Sequence, residues 1–594
     1  MKAILGINAV FHDSSAAVLA EGRLSVLAEE ERYSRVRGAK RASVEATADL
    51  PYRAVSRALE AAGVSFADLD CVAYSFDPEL RRRALEGAPS DPGVPEDGYG
   101  GRRGEKRFRE LILQTEELLA ARYGRRVPVV FIPHHEAHMA SAYYSCPWDE
   151  AALLAVDGIG EKDSCVWGLG RAGRVERIGS IGYPHSLGFL WESMTRWLGL
   201  QANQDEGTVM ALAAYGDPAR FREALRRVLR PEPDGTFRAD PTLPRFRSGD
   251  VAGLESLLGP KREAAVPIVF AGTDRRHADA AASLQELTEE LMLGLAGKLR
   301  KDTGSANLAL AGGVALNCQA NGALARSGIF ERLWVFPAAK DCGTAFGAAA
   351  MAWLKRRGVP AREEWRHAFL GAPDKAGAAE LALAARGLKG EAPGPRELIE
   401  KTADLLASEK IVAWYEGAME VGPRALGHRS LLADPRSDAM KHRLNERIKH
   451  RQPFRPYGPL LREEDADRFF EIPEAARLPC RFMLAAVRAR AQAYERIPAA
   501  LHADGTARPQ LIAAREHPRL HALLGAFEKR TGVPALLNTS FNDREPIVGV
   551  PEDALATYLR TEVDALVMEE RLLIKTAKVH RPLETYLPPR GGGK

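Results

Sequence analysis

The chain opens with short apolar stretches that alternate with small polar loops, and this order occurs twice. An apolar stretch, KAILGI, and a polar loop, NAVFHDSS, lead into two alternating stretches that meet at Glu21-Gly22, a pair typical of a hairpin turn. From residue 151 onward, the strand-like AALLAV, the loop DGIGEKDS and a second hairpin near Ala172-Gly173 repeat the order. The repeat concerns architecture, not identical residues, and predicts two related half-domains with a phosphate or nucleotide cleft between them.

Helical patterns separate and follow these strands. Apolar residues at spacings of three and four predict helices within residues 44–63, 108–124, 186–218 and 278–304. Residues 219–275 are rich in proline and charge and are predicted to form a surface insertion. Strands that alternate with helices predict an α/β fold, and the repeated unit indicates the actin, sugar kinase and Hsp70 superfamily.

The pattern changes near residue 360. We predict a first domain at 1–360, a linker or domain entry at 361–395, a second domain at 396–585 and a disordered tail at 586–594. The second domain combines a helical stretch, RELIEKTADLLASEK, with the strands IVAWYEG and VPALLN, which is typical of an α+β fold.

Composition narrows the class of protein. The 594 residues are 45% hydrophobic and 27% charged, with a net charge of +4, which indicates a globular protein of at least two domains. The basic stretches at 35–41 and 101–110 lack interleaved aromatic residues, so we predict solvated faces and no nucleic-acid partner. Six scattered cysteines, no signal peptide and no long apolar stretch predict a cytoplasmic protein without a membrane partner.

Two histidines carry the clearest coordination chemistry. His134 and His138 stand four residues apart in a helix-forming segment that begins at Pro133, so both imidazoles would face the same way. Histidine pairs at this spacing also occur on protein surfaces, or in the core with their hydrogen bonds satisfied. Asp157, at the end of a buried strand, favours a metal site, and two histidines with a carboxylate suit iron(II), manganese or catalytic zinc. The spacing leaves His135 open as a further ligand.

Two strand ends after residue 300 bear glycine and polar residues. Gly312 and Gly313 end a strand and precede Asn317, an arrangement that lets a nucleotide approach the backbone near a helix start. An ordinary strand-to-helix turn is the competing interpretation. Asp341 precedes a helix rich in small residues, where it would be a metal ligand or an N-cap.

The second domain contains basic residues on turns. Glycine and proline separate them, which favours a preorganised anion pocket over a solvated helix face. The basic residues are Arg424, Arg429, Lys449, Arg451 and Arg455. Asn538 and Ser540 end an apolar strand and would cradle an anion or an amide, or cap a turn.

Together these motifs resemble one family over nearly the whole chain. HHEAH, the strand-end DG, AGGVALN and KDCGTAFGAA, followed by VGPRALGHRS, KHRQPFRP and LLNTSFN, are similar to the O-carbamoyltransferases of antibiotic and nodulation-factor biosynthesis. The resemblance implies a Kae1-like first domain of the actin/Hsp70-like class and a YrdC-like second domain. It implies that carbamoyl phosphate and ATP, with magnesium, form carbamoyl-adenylate in the second domain, and that a metal-assisted step in the first transfers the carbamoyl group to a small-molecule hydroxyl acceptor.

The same resemblance suggests roles for individual residues. It implies that His134, His138, Asp157 and Asp341 bind a metal ion, either iron(II) or else manganese or zinc. It implies nucleotide binding at Gly312, Gly313 and Asn317, and carbamoyl phosphate or ATP binding at Arg424, Arg429, Lys449, Arg451, Arg455, Asn538 and Ser540. Lys449 and Arg455 are also expected to act in catalysis.

Residues at the start of the chain complete the expected site. His12 is our candidate for handling the proton of the acceptor hydroxyl. Arg37 or Lys40 would hold the phosphate of the adenylate, although the family often has lysine where Arg37 falls.

Three alternatives remain beside this interpretation. A tRNA threonylcarbamoyl transferase shares the first fold, but the small net charge and the second basic pocket argue against it. A hydrogenase maturation carbamoyltransferase would need acylphosphatase and zinc-finger segments. A non-catalytic nucleotide-binding module of the Hsp70 type would leave the paired histidines unexplained. The identity of the acceptor is not readable from the sequence, and self-association, for example as a homodimer, stays open.

Overall fold

Two five-stranded sheets with the same topology form the first part of the protein in the computed structural model, which describes residues 2–86, 93–240, 242–243, 245–362 and 364–575. The first sheet comprises β1 (Ala3–Asn8), β2 (Ser15–Ala20), β3 (Arg23–Glu29), β4 (Leu69–Tyr74) and β5 (Val129–Phe131). The second comprises β6 (Glu150–Val156), β7 (Asp163–Arg171), β8 (Arg174–Gly182), β11 (Asn307–Ala311) and β12 (Arg332–Val335). Between β8 and β11 in the sequence, β9 (Leu229–Pro231) and β10 (Phe237–Ala239) form a separate small hairpin. The predicted tail at 586–594 lies outside the described residues.

The strand orders confirm the predicted repeat. They are β3-β2-β1-β4-β5 and β8-β7-β6-β11-β12, and each has an antiparallel three-stranded unit followed by two parallel strands. Both predicted hairpin turns exist: φ is 48° and 80° at Glu21-Gly22, and 49° and 73° at Ala172-Gly173. Positive φ at both central residues matches the right-handed twist of the strands. This is the actin/Hsp70-like arrangement.

Helices cover both sheets and fill the space between them. They are α1 (Glu31–Ser34), α2 (Tyr52–Ala62), α3 (Pro78–Leu85), α4 (Arg102–Leu113), α5 (Thr115–Tyr123), α6 (His134–Ser145), α7 (Leu187–Trp197), α8 (Glu206–Ala213), α9 (Arg222–Val228), α10 (Ala252–Leu258), α11 (Arg276–Thr303), α12 (Cys318–Ser327) and α13 (Thr344–Arg357). Short 3₁₀ helices lie at Glu45–Ala48, Phe66–Asp68, Gly313–Leu316 and Asp341–Gly343.

Small residues let α13 pack tightly between the sheets. A Cβ on Gly347 would lie 1.8 Å from the Ala137 carbonyl oxygen of α6, and a Cβ on Gly6 would lie 1.9 Å from that of Ala345. These approaches leave no room for a side chain, which explains the Gly/Ala-rich sequence of α13. The packing brings the starts of α6 and α13 together, and both starts carry site residues.

The structure adds detail to two sequence expectations. The stretch 186–218 forms two helices, α7 and α8, because the chain turns through Gly199 at a φ of 63°. The insertion at 219–275 contains α9, the β9–β10 hairpin and α10. Ion pairs join it to α11, with Arg222 2.6 Å from Glu286 and Arg226 2.9 Å from Glu290.

The second part is an α+β unit around a seven-stranded sheet. Its strands are β13 (Val412–Tyr415), β14 (Arg429–Ala433), β15 (Gly458–Arg462), β16 (Phe470–Glu471), β17 (Val487–Ala489), β18 (Thr506–Ala507), β19 (Gln510–Ile512), β20 (Ala535–Ser540), β21 (Ala565–Met568) and β22 (Arg571–Ile574). The large sheet has the order β19-β15-β20-β14-β13-β21-β22, and β16, β17 and β18 form a small separate sheet. Both predicted fold classes are therefore confirmed.

The remaining helices surround these sheets. They are α14 (Ala378–Ala385), α15 (Pro395–Ala407), α16 (Asp438–Arg447), α17 (Ala466–Phe469), α18 (Arg477–Arg481), α19 (Ala491–Arg496), α20 (Pro518–Thr531) and α21 (Pro551–Arg560), with 3₁₀ helices at Glu463–Asp465, Glu474–Ala476 and Pro498–Ala500. Within the described ranges, no helix is both long and apolar enough to cross a bilayer.

Candidate active site

Helix α6 presents two histidine nitrogens to one point. Its first residue is His134, directly after Pro133, so His134 and His138 lie one turn apart and are both completely buried. Their Nε2 atoms are 3.2 Å apart. Nδ1 of His134 lies 3.2 Å from the Ser75 carbonyl oxygen, which can only accept a hydrogen bond, so Nδ1 carries a hydrogen and Nε2 is the nitrogen available to a metal.

Two carboxylates complete this cluster. Oδ2 of Asp157, which follows β6, lies 3.0 Å from Nε2 of His138, and Oδ1 of Asp341, before α13, lies 3.5 Å from Nε2 of His134. One ligand atom from each of the four side chains lies within 4.8 Å of the other three. Two imidazoles and two carboxylates converging at this distance are a donor set that suits a divalent transition metal.

His135 does not belong to the cluster. Its imidazole is buried against Gly160, where a Cβ would lie 2.7 Å from Nδ1. Burial, together with the nearby His134 and His138, lowers the pKa of His135 to about 3, so the ring is neutral. The residue that spacing alone left open as a ligand therefore lies in the protein core.

The Gly312-Gly313 turn supports Asp157. Gly312 has a φ of 87°, and a Cβ there would lie 2.3 Å from the Val156 carbonyl oxygen. The backbone N–H of Gly313 donates to Oδ1 of Asp157 at 3.2 Å, which leaves Oδ2 to the histidines. The side chain of Asn317 caps α12 by accepting from the Ala320 N–H at 3.0 Å. This predicted nucleotide turn thus also orients a member of the cluster.

We expect Gly312→Ala to lower the free energy of unfolding by about 2–4 kcal/mol, because it adds both backbone strain and a steric clash. Gly304→Ala is the matched control, since Gly304 also has a positive φ, 68°, but open space around it. That control should cost only about 1 kcal/mol. Urea denaturation measures both, and equal losses would show that the clash with Val156 is absent.

Charges within the cluster shift the pKa values of its members. Burial disfavours the imidazolium of His134, but Asp341 and Asp157 outweigh burial and raise its pKa well above the ordinary value. Burial disfavours the carboxylate of Asp157, but hydrogen bonds from His134 and His138 hold its pKa well below the usual range. Without a cation, the cluster therefore retains a proton on His134 at neutral pH.

Metal binding is accordingly expected to release about one proton, because ligation needs the lone pair that the proton occupies. Measured between about pH 8 and about pH 6, the affinity for Mn²⁺ should fall as the pH is lowered, because protons compete for the lone pair of Nε2. Titration calorimetry in two buffers with different ionisation enthalpies counts the proton directly. An affinity that does not change over this range would contradict the assignment of Nε2 as a ligand atom.

His12 lies beside the cluster. Its Nδ1 is 2.9 Å from Oδ2 of Asp13 and 3.9 Å from Oδ2 of Asp341. Burial opposes the charge on the ring, but the two carboxylates dominate and raise the pKa of His12 to about 9. Lys340 approaches Asp13 on the other side at 3.5 Å. His12 therefore carries a proton in the ligand-free protein.

One cavity of about 580 Å³ extends from this cluster to the second part of the chain. From the first part it is lined by His12, Arg37, Asp157, Gly313, Asn317 and Asp341, and from the second part by Arg424, Arg451, Arg455, Asn538 and Ser540. Sequence-predicted residues from both domains therefore line one continuous space.

The far end of the cavity is unusually basic. Arg424, Arg451 and Arg455 are joined there by Arg508, which the sequence analysis missed. Burial and the neighbouring Arg508 lower the pKa of Arg424 to about 9, and burial and Arg451 do the same to Arg455. Nε of both Arg424 and Arg508 is buried without a hydrogen-bond partner. Such a group of uncompensated guanidinium ions is suited to a phosphate or a pyrophosphate.

Lys449 stands behind the cavity wall. Its Nζ lies 2.5 Å from the Ser540 carbonyl oxygen and 2.6 Å from Oδ1 of Asn542. Burial and Arg451 lower the pKa of Lys449 well below its ordinary value. Asn538 is held equally firmly, since its Nδ2 donates to Oε1 of Gln510 at 2.7 Å. Lys449 thus positions the Ser540 turn that lines the cavity.

The structure does not bring every expected residue to the cavity. Arg429 is completely buried on the inner side of β14, where its guanidinium donates to the carbonyl oxygens of Glu416 at 2.7 Å and Gly417 at 2.9 Å. The geometry does not support the phosphate-binding role expected for Arg429, because its donors already serve the backbone. Lys40 likewise donates to the carbonyl oxygens of Ala9, Ala46 and Asp49, whereas Arg37 lines the cavity.

Comparison with known proteins agrees with this geometry. A family described as Carbamoyltransferase N-terminus matches residues 3–350, and one described as Carbamoyltransferase C-terminus matches residues 403–575. The first match alone spans more than half of the chain. The boundary between them coincides with the change from the repeated sheets to the seven-stranded sheet.

Individual relatives extend over the whole chain. The uncharacterized protein sll1178 of Synechocystis sp. is 33% identical, covering 98% of both chains. The nodulation protein NolNO of Sinorhizobium fredii is 35% identical, covering 96% of this chain and 80% of its own. Among solved structures, component A of (R)-2-hydroxyglutaryl-CoA dehydratase from Acidaminococcus fermentans matches 60% of this chain and 99% of its own, with a TM-score of 0.32 and 16% identity, which is too weak to support an argument. On the family matches, this chain is an enzyme that belongs to the carbamoyltransferases and transfers the carbamoyl group to oxygen.

Proposed function

We propose that the protein uses ATP and carbamoyl phosphate to make carbamoyl-adenylate, and then transfers the carbamoyl group to a hydroxyl of a small natural product or sugar. The observation that carries this proposal is the single cavity, which has a group of guanidinium ions at one end and a metal-ligand cluster at the other. A polyanionic donor and a hydroxyl acceptor can each find complementary chemistry within the same enclosed space.

The first half-reaction belongs at the basic end. Water displaces phosphate from carbamoyl phosphate and leaves carbamate, whose oxygen then attacks the α-phosphorus of ATP. The bond from the α-phosphorus to the bridging oxygen breaks, and pyrophosphate leaves with the electron pair. Arg424, Arg451, Arg455 and Arg508 would neutralise the negative charge that accumulates on these groups. Magnesium would accompany ATP.

The second half-reaction belongs at the cluster. His134, His138, Asp157 and Asp341 would hold iron(II), manganese or zinc, and the ion would supply Lewis acidity to a carbonyl oxygen. The acceptor oxygen attacks the carbonyl carbon, and AMP leaves as its bond to that carbon breaks. His12 would first lose its own proton and then take the proton of the acceptor hydroxyl. A cation held by Asp341 would favour the first loss, because it would lie close to the imidazolium.

The proposal specifies the acceptor only as a class of hydroxyl compounds. The relative NolNO is a nodulation protein, and the resemblance to antibiotic-modifying enzymes suggests natural-product or sugar hydroxyls. Because carbamoyl phosphate and ATP are metabolites of the cytoplasm, we place the reaction there.

Trapping the intermediate tests the proposal without a known acceptor. The protein is incubated with ATP, magnesium, carbamoyl phosphate and hydroxylamine, whose nitrogen would attack carbamoyl-adenylate to give hydroxyurea and AMP. We expect equal amounts of the two products by mass spectrometry. Omitting ATP controls for direct reaction of carbamoyl phosphate. Hydroxyurea that forms equally well without ATP, or AMP without pyrophosphate, would contradict the adenylate.

A further inference from the structure

The wall of the cavity is closed along a seam between the two parts of the chain. Arg37 and Gly38 line the cavity on the side of the first part, and Pro546 and Ile547 line it on the side of the second. Contacts within either part cannot hold this seam together. The side chains that cross it therefore hold this stretch of the cavity wall together.

Arg35 crosses the seam with three contacts. Its Nη1 donates to the Ile547 carbonyl oxygen at 2.7 Å, and its Nη2 donates to the Pro546 carbonyl oxygen at 2.8 Å. Its Nε lies 3.5 Å from Oδ2 of Asp553, at the start of α21. The planar fork of a guanidinium offers a separate nitrogen to each of two successive carbonyls, whereas a lysine has a single nitrogen.

The backbone aims this side chain at the seam. Arg35 follows the last residue of α1 with a φ of 61°, so the chain reverses there and continues into Arg37 and Gly38. The N–H of Asp13 donates to the Gly38 carbonyl oxygen at 2.8 Å. The segment that Arg35 attaches to the second part therefore also supports the loop that carries His12.

The other contacts across the seam have a different character. Arg32 donates to the Gly422 carbonyl oxygen at 2.6 Å, and the Gly422 N–H donates to Glu29 at 2.6 Å. Arg32 is only 2% exposed, so its removal would disturb the protein core. Arg35 has a side chain that is 25% exposed and lies at the edge of the seam, so its removal opens the wall without leaving a buried charge.

We propose that Arg35 is a positioning residue that latches the seam while carbamoyl-adenylate occupies the cavity, and so protects this mixed anhydride from bulk water. This inference rests on the proposed function. When the latch is lost, water attacks the carbonyl carbon of the intermediate, and the bond to AMP breaks. The products are carbamate, AMP and a proton, and the enzyme is free to consume another ATP without any carbamoyl transfer.

The test measures pyrophosphate release from ATP and carbamoyl phosphate with no acceptor present. The wild-type protein should release about one equivalent per active site in a burst and then slow down, because the product of the first half-reaction is retained. Arg35→Met should keep the burst amplitude and raise the later steady rate about tenfold. Arg35→Lys, which keeps the positive charge but loses the planar fork, should fall between the two.

A matched control distinguishes the loss of this latch from a general destabilisation of the protein. Arg53→Met removes an arginine that donates to the Tyr33 carbonyl oxygen within the first part, at 2.6 Å, and should behave as wild type. A wild-type burst with an unchanged steady rate in Arg35→Met would overturn the latch and leave the proposed function standing. Wild-type turnover without a burst would overturn it as well. No release that depends on carbamoyl phosphate would instead contradict the proposed function.

Discussion

His138→Ala is expected to abolish carbamoyl transfer to the acceptor while pyrophosphate release from ATP stays within about threefold of wild type. The imidazole lies between His134 and Asp157, so its loss removes one of four converging ligand atoms. Loss of a metal ligand typically costs a factor of about 10² to 10⁴ in a step that depends on Lewis acidity. Equilibrium binding of Mn²⁺ and trapping with hydroxylamine measure the two effects independently.

His135→Asn is the matched control for this variant. It changes a buried histidine on the same helix whose ring lies outside the cluster. Metal affinity should be retained in His135→Asn and lost in His138→Ala. Equal loss of metal in both variants would show that the helix, and not the ligand set, is disturbed.

Arg455→Met is expected to reduce pyrophosphate release by a factor of about 10² to 10³, because one of the guanidinium ions at the basic end is lost. The same change should leave the free energy of unfolding unchanged or slightly higher. Among the described residues, no carboxylate lies within salt-bridge distance of Arg455, and burial and Arg451 outweigh the more distant Asp205 and lower the pKa of Arg455 to about 9. Removing that charge therefore relieves repulsion at neutral pH, and any gain in stability should shrink progressively as the pH rises above about 9.

Arg429→Met is expected to lower the free energy of unfolding, in contrast to Arg455→Met. The guanidinium of Arg429 is completely buried, lies 3.6 Å from the centre of the Tyr415 ring and donates to several carbonyl oxygens. Its loss should cost about 3–5 kcal/mol of unfolding free energy. Urea denaturation and pyrophosphate release on both variants provide the comparison. A large loss of stability in Arg455→Met would contradict its assignment as an anion-binding residue.

Local patterns marked the two histidines and Asp157 as a candidate metal site, and the family resemblance added Asp341. His134 and His138 are spaced by one helical turn, and Asp157 and Asp341 follow strands whose ends meet at the same edge. The duplicated hairpins were equally readable, because Glu21-Gly22 needs a backbone conformation that few other pairs adopt. The histidine pair and the hairpin turns each depend on residues close together in sequence.

Long-range packing decided the features that the sequence did not reveal. Arg424 and Arg429 are five residues apart and look alike in sequence, but only tertiary structure turns one toward the cavity and the other toward the carbonyls of Glu416 and Gly417. Arg508 has no basic neighbour in sequence, so no pattern marked it. The attachment of Arg35 to Pro546 spans more than 500 residues and could not be inferred from spacing.

The most direct measurement is pyrophosphate release from ATP on addition of carbamoyl phosphate, with magnesium and no acceptor, in wild type, Arg455→Met and His138→Ala. If the two ends of the cavity perform separate half-reactions, wild type and His138→Ala release pyrophosphate and Arg455→Met does not. Release that needs no carbamoyl phosphate, or that persists in Arg455→Met and disappears in His138→Ala, would contradict this division of the cavity.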